Sequence, residues 1–498
     1  MIQDGWSRRE VLEAAISIAA TGGALSACAP NDEGLDTDET PGAAEDTDGI
    51  ADTDALLDTD TLLDTDPVED TDPTDLLQFD ADAIALDAAA FTYAVLCGSM
   101  TQSRARLSTR ADGVAAVRVR VWEEVAATRV RLFVDIDVAP EDGGFVHALV
   151  EGLSPARAYR YGFFTVDEAG LLVGRSDLGR FRTAPADTDS PTLTVALCSC
   201  NGDAKGRYDA FGRIADHPEV DAIMHVGDMA YNDGAVTLPQ YRASWATWME
   251  SAGYRAALAS TGLYATWDDH EVGNDWDPEQ TSAAQKAAAL QSFLENVPVE
   301  SGPNGELWRS YRWGLTAEIL VLDCRSERLP STRGGTDDDL YMSRAQMDWL
   351  KDRLAQSPCR FKVVMNSVPI TCMPTVWDVA AGDRWEGYPK QRNELMSHIR
   401  DAAIADVWFL TGDFHVCFTS RIEPGSTGTL AVTQEICVTS GNSNPLGALL
   451  TQPYFGYNTF EPRLCLLTFD PALGTVRVQF IDPSGGRVMF DRLLSQTP

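Results

Sequence analysis

The stretch Ala222-Ile223-Met224-His225-Val226-Gly227-Asp228-Met229-Ala230-Tyr231 decides the reading of the whole chain. A short apolar run of strand-forming residues ends on a glycine, a carboxylate follows at once, and a tyrosine closes the turn. Glycine permits a tight exit from the strand. Asp228 is therefore expected to project from the strand's end and Tyr231 to return to the same pocket, and a carboxylate is a group that can bridge two cations.

The same design recurs along the chain. An apolar run at 263–266 precedes Trp267-Asp268-Asp269-His270-Glu271, with Asn274 close behind. A run at 407–410 precedes Thr411-Gly412-Asp413-Phe414-His415, and one at 193–197 leads into Cys198-Ser199-Cys200. Further strands are expected at 319–322 and 361–365. Between them, apolar spacing predicts helices at 240–260 (with Tyr241, Trp245 and Trp248 on one face), 281–295 and 343–355. Strands alternating with helices imply an α/β (α+β sandwich) fold, in which ligands gather beyond the carboxyl ends of the strands. Ionisable groups packed this densely beside a buried sheet repel one another unless cations or paired donors compensate. By contrast His225, inside an apolar strand, reads as a core histidine; His147 and His217 lack motif context. Trp245, Trp248, Trp276 and Trp313 read as packing residues, and Cys198 as core.

Together, Ser199-Cys200-Asn201, Gly227-Asp228-x-x-Tyr231, Trp267-Asp268-Asp269-His270-Glu271 with Asn274, Leu322-Asp323-Cys324-Arg325 and Gly412-Asp413-Phe414-His415 resemble the alkaline phosphatase D (PhoD-like) metallophosphatases. These are relatives of the purple acid phosphatases in the calcineurin-like superfamily. The resemblance covers nearly everything from Phe91 onward. It implies a hydrolase acting on phosphoric esters, in which a metal-bound hydroxide or oxide attacks phosphorus. Cys200, Asp228, Tyr231 and His415 would hold Fe(III); Asp228 would bridge to Ca2+, with Asp269 and Asp413 completing that second site. Asn366 stands where purple acid phosphatases have a metal-binding His. His270 would stabilise or protonate the leaving group, and Arg325 or Asn274 would hold phosphate oxygens. Donor chemistry agrees: phenolate, carboxylate and imidazole suit a hard trivalent ion, an all-oxygen neighbour suits calcium, and a single thiolate argues against structural zinc. A phospholipase- or nuclease-like phosphodiesterase and a catalytically silent surface-binding lipoprotein are the alternatives.

The 498 residues exceed one typical core and suggest a large catalytic unit with a smaller companion. A net charge of −36 and a pI near 4.4 argue against nucleic acid as a partner, because phosphate neutralisation needs clustered Lys/Arg. A phosphorylated small molecule, phospholipid or polymer would need metal ions to bind. Residues 29–80 hold nineteen Asp/Glu and no Lys/Arg.

At the N-terminus Ser7-Arg8-Arg9-Glu10-Val11-Leu12 resembles a twin-arginine export signal, and Leu25-Ser26-Ala27-Cys28 resembles a lipobox that would acylate Cys28. The chain is thus expected to be lipid-anchored to a membrane, periplasmic or extracytoplasmic, and monomeric. Ala29 favours the outer membrane in a cell that has one. Asp-Thr-Asp recurs at 46, 52, 58, 64 and 70, a six-residue period that reads as a self-repelling tether. Alternation in Val117-Arg118-Val119-Arg120-Val121-Trp122 and Arg129-Val130-Arg131-Leu132-Phe133-Val134 predicts a β-sandwich. Leu153-Ser154-Pro155 with Tyr159 and Tyr161 makes it similar to a fibronectin type III domain. The expected organisation is a leader at 1–27, lipidated Cys28 and tether to 88, the sandwich at 89–186, and a calcineurin-like metallophosphatase domain at 190–498.

Overall fold

The computed structural model describes residues 76–202, 209–335, 338–422 and 433–496. The expected leader, Cys28 and the Asp-Thr-Asp repeats lie outside the described residues. Among the described residues no helix is long and apolar enough to cross a membrane.

Two mixed sheets lie face to face. The nine-stranded sheet runs, in spatial order, Val488–Leu494, Thr475–Ile481, Leu464–Asp470, Leu193–Cys198, Ala222–His225, Gly262–Ala265, Leu96–Gly98, Ala105–Arg110 and Phe145–Val150. The seven-stranded sheet runs Arg309–Trp313, Ala317–Val321, Phe361–Met365, Val407–Thr411, Gln434–Cys437, Cys417–Arg421 and Phe455–Thr459. Alternation along each strand sorts its side chains between two cores. Leu193, Val195 and Leu197 meet Ile319, Val321, Val363, Met365 and Leu410 between the sheets. Ala196, Cys198 and Ile223 face the other way, among buried residues of the helices Leu238–Met249, Ala252–Ser260 and Ala283–Asn296. Leu320, Val364 and Phe409 likewise pack with helices Arg344–Gln356 and Pro389–Asp401. The result is four layers, α/β/β/α, with each fully buried Leu, Ile or Val contributing about 1.5–3 kcal/mol.

This layering brings the functional ends together. Leu193–Cys198, Ala222–His225 and Gly262–Ala265 are mutually parallel, as are Ala317–Val321, Phe361–Met365, Val407–Thr411 and Gln434–Cys437. The two rims are tied where Thr266 Oγ1 donates to Leu322 O at 2.6 Å. All six strands expected in this region form, within a residue or two of the expected bounds. The helix expected at 240–260 is instead two, because the Ser251 side chain accepts from Tyr254 N and starts a new helix after Met249.

The N-terminal unit departs from expectation at both ends. A six-stranded sheet contributes Val117, Val119, Val121, Tyr159 and Tyr161, and it packs against Ala105, Leu107, Val146 and Ala148, so a two-layer sandwich is present. Its second layer, however, is not a separate sheet: Leu96–Gly98 pairs in parallel with Gly262–Ala265, with Gly98 opposite Leu263. The boundary near 186 divides the chain but not the sheet. The tether expected to run to 88 is also shorter, since Leu77 already pairs with Val130 and Phe79 packs edge-on against Trp122, ring centroids 5.2 Å apart.

A shared sheet predicts shared unfolding. Residues 76–496 should unfold in one calorimetric transition, whereas a chain begun at 190 bares the edge of Gly262–Ala265 and should aggregate. Two well-separated transitions in the longer chain would contradict the continuous sheet.

Candidate metal centre

The backbone at the strand ends is held in an unusual conformation. Cys200, Asp228, Asp413 and His415 all have positive φ, between 53° and 67°, which makes them four of the nine such non-glycine residues described. Left-handed backbone at a side chain is strained and persists only where its surroundings over-determine it. Glu271 supplies part of that constraint. Fully buried, it accepts the backbone N–H groups of Asp228 (3.1 Å), Met229 (2.6 Å) and Asp268 (2.9 Å), locking two adjacent strand exits together. Gly227, at φ 107°, is required here, because a Cβ would lie 2.4 Å from Asp268 Cβ.

These turns assemble three groups of ligand-type atoms, each mutually within 4.8 Å: Cys200, Asp228 and His415; Asp228, Asp269 and His270; and Asp268, Asp269 and Asp413. Asp228 and Asp269 each belong to two of them, and Asp228 alone links the Cys200 and His415 group to the rest. Tyr231 joins the first, its hydroxyl 3.1 Å from Asp228 Oδ2 and 3.4 Å from His415 Nε2. Asn442, beyond Gln434–Cys437, donates to Tyr231 Oη at 2.7 Å. Six of the seven residues expected to bind metal therefore converge.

Asn366 does not join them. Its Oδ1 accepts from Trp385 Nε1 and Cys324 Sγ at 3.0 Å each, and its Nδ2 donates to Val368 O at 2.7 Å. Its side-chain oxygen and amide are thus both engaged within the core, outside the three ligand groups.

Arg325 also takes a different role from the one expected. Its guanidinium is fully buried and surrounded by carboxylates: Nε lies 2.6 Å from Asp268, Nη1 2.7 Å from Asp383, and Nη2 3.2 Å from Asp413 and 3.8 Å from Asp269. It compensates protein charge through Nε and Nη1, while Nη2 has no hydrogen-bond partner among the described residues. Trp267 Nε1 and the Arg325 N–H both donate to Asp323 Oδ1, which holds the two motifs together.

His270 lies at the mouth of this cluster. Its Nδ1 is 2.9 Å from both oxygens of Asp233, and its ring packs against Tyr231 with centroids 3.9 Å apart. Burial alone would strip its proton, but Asp228, the bond to Asp233 and Asp269 outweigh burial and raise its pKa to about 11. Burial and the neighbouring His270 push His415 down to about 4, leaving a neutral imidazole. Asn274 is exposed; its N–H donates to Asp233 Oδ1 at 2.7 Å and its Nδ2 to Asp275 at 2.8 Å. His225 is a core residue as expected, bonded to Asn201 Nδ2 at 2.8 Å and pushed down to about 3 by burial.

Asp268, Asp233, Asp383 and Asn442 were not singled out by sequence reasoning. Asp268 and Asp233 sit inside or beside quoted motifs, so proximity was an available signal. Asp383 arrives from the 3-10 segment Thr375–Asp383 and Asn442 from a loop, and neither sequence carries such a pattern.

The donor set fits cations. Asp228 Oδ1, Asp268 Oδ2, Asp269 Oδ1 and Asp413 Oδ2 are buried and have no hydrogen-bond donor among the described residues. Burial pushes Asp228 and Asp413 well above the usual carboxylate range and, with Asp228 alongside, does the same to the Cys200 thiol. Native structures rarely leave buried acceptors bare, and positive charge at their meeting point resolves both the bare oxygens and the repulsion.

Ligand groups that share carboxylates, at the strand ends of a four-layer fold, define a centre suited to more than one cation. The PhoD-like phosphatase profile matches residues 195–464, and the profile for the N-terminal domain of PhoD-like phosphatases matches 79–185. The chain belongs to the PhoD-like phosphatase family. Alkaline phosphatase D of Bacillus subtilis (strain 168) is 28% identical over 322 residues, 56% of this chain and 54% of that protein, so the match spans about half the relative's length. Among solved structures, PhoD superposes with a TM-score of 0.70 at 24% identity, over 83% of this chain and 92% of that one. Purple acid phosphatase PPD1 from yellow lupin (Lupinus luteus) seeds superposes with a TM-score of 0.58 at 15% identity, over 81% and 74%. Both share the fold.

Arg325→Met tests the corrected role of that residue. Stripped of its countercharge, the buried cluster should lose about 3–5 kcal/mol of stability in chelator, read by urea unfolding, and saturating divalent cation should restore part of the loss. Unchanged stability with a raised KM would return Arg325 to the phosphate-binding role.

Proposed function

We propose that this chain is an exported, lipid-anchored, metal-dependent phosphoesterase of the alkaline phosphatase D type that cleaves phosphomonoesters, phosphodiesters or both. The observation that carries the reading is Asp228, one carboxylate common to two adjoining ligand groups. Cys200, Asp228, Tyr231 and His415 would hold Fe(III), and Asp228, Asp269 and Asp413, with Asp268 grouped beside the last two, would hold Ca2+, in keeping with hard oxygen donors for a hard cation. Cations bound there supply Lewis-acid polarisation of the phosphoryl oxygens and acidify the attacking water.

The chain's own residues do the rest. Asp233 fixes the orientation of the His270 ring and keeps a proton on Nδ1, so Nε2 is the atom that meets the leaving oxygen and delivers a proton to it. The Tyr231 ring walls one face of that imidazole. Asn274, exposed at the rim, is the residue for a phosphate oxygen.

The Ser7-Arg8-Arg9 signal and Cys28 support export and anchoring. The acidic repeats would act as a tether reaching roughly 40 Å or more. The Leu-x-Pro and Tyr-x-Tyr wording supports a fibronectin type III-like origin for the N-terminal sandwich. The substrate is then a phosphate ester met outside the cytoplasm as a small molecule, phospholipid or polymer, and the protein acts as a monomer.

Hydrolysis of mono- and bis-nitrophenyl phosphate by the mature protein tests this, with activity expected to vanish in chelator and return with added metal. A fully active, metal-free protein would refute it. His270→Ala should lower kcat/KM by about 10²–10⁴ on an alkyl phosphate and far less on a nitrophenyl ester, whose leaving group needs no proton. Equal losses on both would remove His270 from the leaving-group role.

A further inference from the structure

We propose that Asp383 is a positioning residue for the carboxylate pocket formed by Asp268, Asp269 and Asp413, and that with Arg328 it sets how much positive charge Arg325 presents to that pocket. The inference rests on the two-cation reading above.

Asp383 Oδ1 accepts from two guanidiniums at once, Arg325 Nη1 and Arg328 Nη1, each at 2.7 Å. Arg328 is itself buried and further held by Asp383 O and Trp276 O, both at 2.9 Å. Asp268, Asp269, Asp383 and Asp413 thus face only the guanidiniums of Arg325 and Arg328, and carboxylates outnumber guanidiniums in the cluster. A divalent cation would offset that excess. Arg325 and such a cation compete for the same oxygens, so whatever draws the guanidinium toward Asp383 frees Asp268 and Asp413 for the cation. Arg328 works in the opposite sense, because it shares Asp383 and adds positive charge nearby.

Position supports the assignment. Asp383 ends the 3-10 segment Thr375–Asp383, whose Trp377 meets Phe414 edge-on with ring centroids 5.1 Å apart, and the next residue, Arg384, has its Cζ 5.4 Å over the same ring. Phe414 separates Asp413 from His415. The segment that carries Asp383 therefore packs directly on the loop that carries ligands of both pockets.

A purely structural part for Asp383 and Arg328 and a charge-setting part differ in sign. Loosening the segment would weaken cation binding whichever residue is replaced. Changing the charge should weaken it when a negative group is lost and tighten it when a positive one is lost.

The test is calorimetric titration of the chelator-stripped full chain with Ca2+. Asp383→Asn should weaken Ca2+ binding by about tenfold or more, Asp383→Glu should stay near wild type, and Arg328→Gln, which keeps a donor for the carbonyls, should tighten binding several-fold. Shifts of the same sign in Asp383→Asn and Arg328→Gln, or no shift in either while wild type binds, overturn the inference and leave the two-cation reading standing. If Asp383→Asn does not fold, Arg328→Gln decides alone: tighter binding supports the inference, and unchanged or weaker binding overturns it. A wild-type chain that takes up no Ca2+ overturns the calcium reading and this inference with it.

Discussion

Mutual repulsion among buried carboxylates at the ends of parallel strands is the constraint on which the rest of the structure depends. Asp268, Asp269 and Asp413 are brought within reach of one another, and Asp228 within reach of Asp269, by two sheets whose strand ends meet at a common rim. Water cannot dissipate that repulsion, and in a low-dielectric interior it is strong. The fold answers in layers. Arg325 lies wholly inside the cluster, Glu271 ties the strand exits by accepting three backbone N–H groups, and left-handed backbone aims four of the ligands inward. Buried ion pairs of this kind add little net stability over an apolar core, so their presence points to a purpose other than folding. Here that purpose is a pocket of carboxylates suited to cations.

Local sequence carried much of this and global charge balance very little of it. Strands at 193–197, 222–226, 263–266 and 407–410 were legible because each couples an apolar run to a polar exit within a few residues, and those exits bear Cys200, Asp228, Asp269, Asp413 and His415. Where the structure adds to the sequence, the deciding contact is distant. The phosphate role of Arg325 is implied by resemblance alone, and its partner Asp383 lies 58 positions away in sequence, in a 3-10 segment without a motif. Asn366 was read through a resemblance, but Trp385 and Cys324 had already claimed its oxygen. The strand Gln434–Cys437, which leads to Asn442, hid behind its two polar residues. One of them, Glu435, is buried because it accepts the N–H groups of Ile370 and Thr371 at 3.0 and 2.9 Å. The shared sheet was equally out of reach, since alternation marks a strand but not its neighbour.

The two halves of the molecule are joined by more than a linker. Pairing of Leu96–Gly98 with Gly262–Ala265 makes the N-terminal strands the continuation of the sheet that presents Asp228 and His270. That arrangement covers what would otherwise be an unpaired edge of Gly262–Ala265. It also explains why chemistry-bearing residues cluster entirely in the second half: the first supplies an edge, and the second supplies the strand ends.

If one carboxylate is shared by two cation pockets, its loss must affect both. Metal content of the purified protein, measured by elemental analysis alongside the visible absorption expected of tyrosinate bound to Fe(III), offers the most direct test when wild type is set beside Asp228→Asn. The account predicts two kinds of cation in wild type, with both cations and the absorption lost or sharply reduced in the variant. Full metal content and an unchanged spectrum in Asp228→Asn would contradict it.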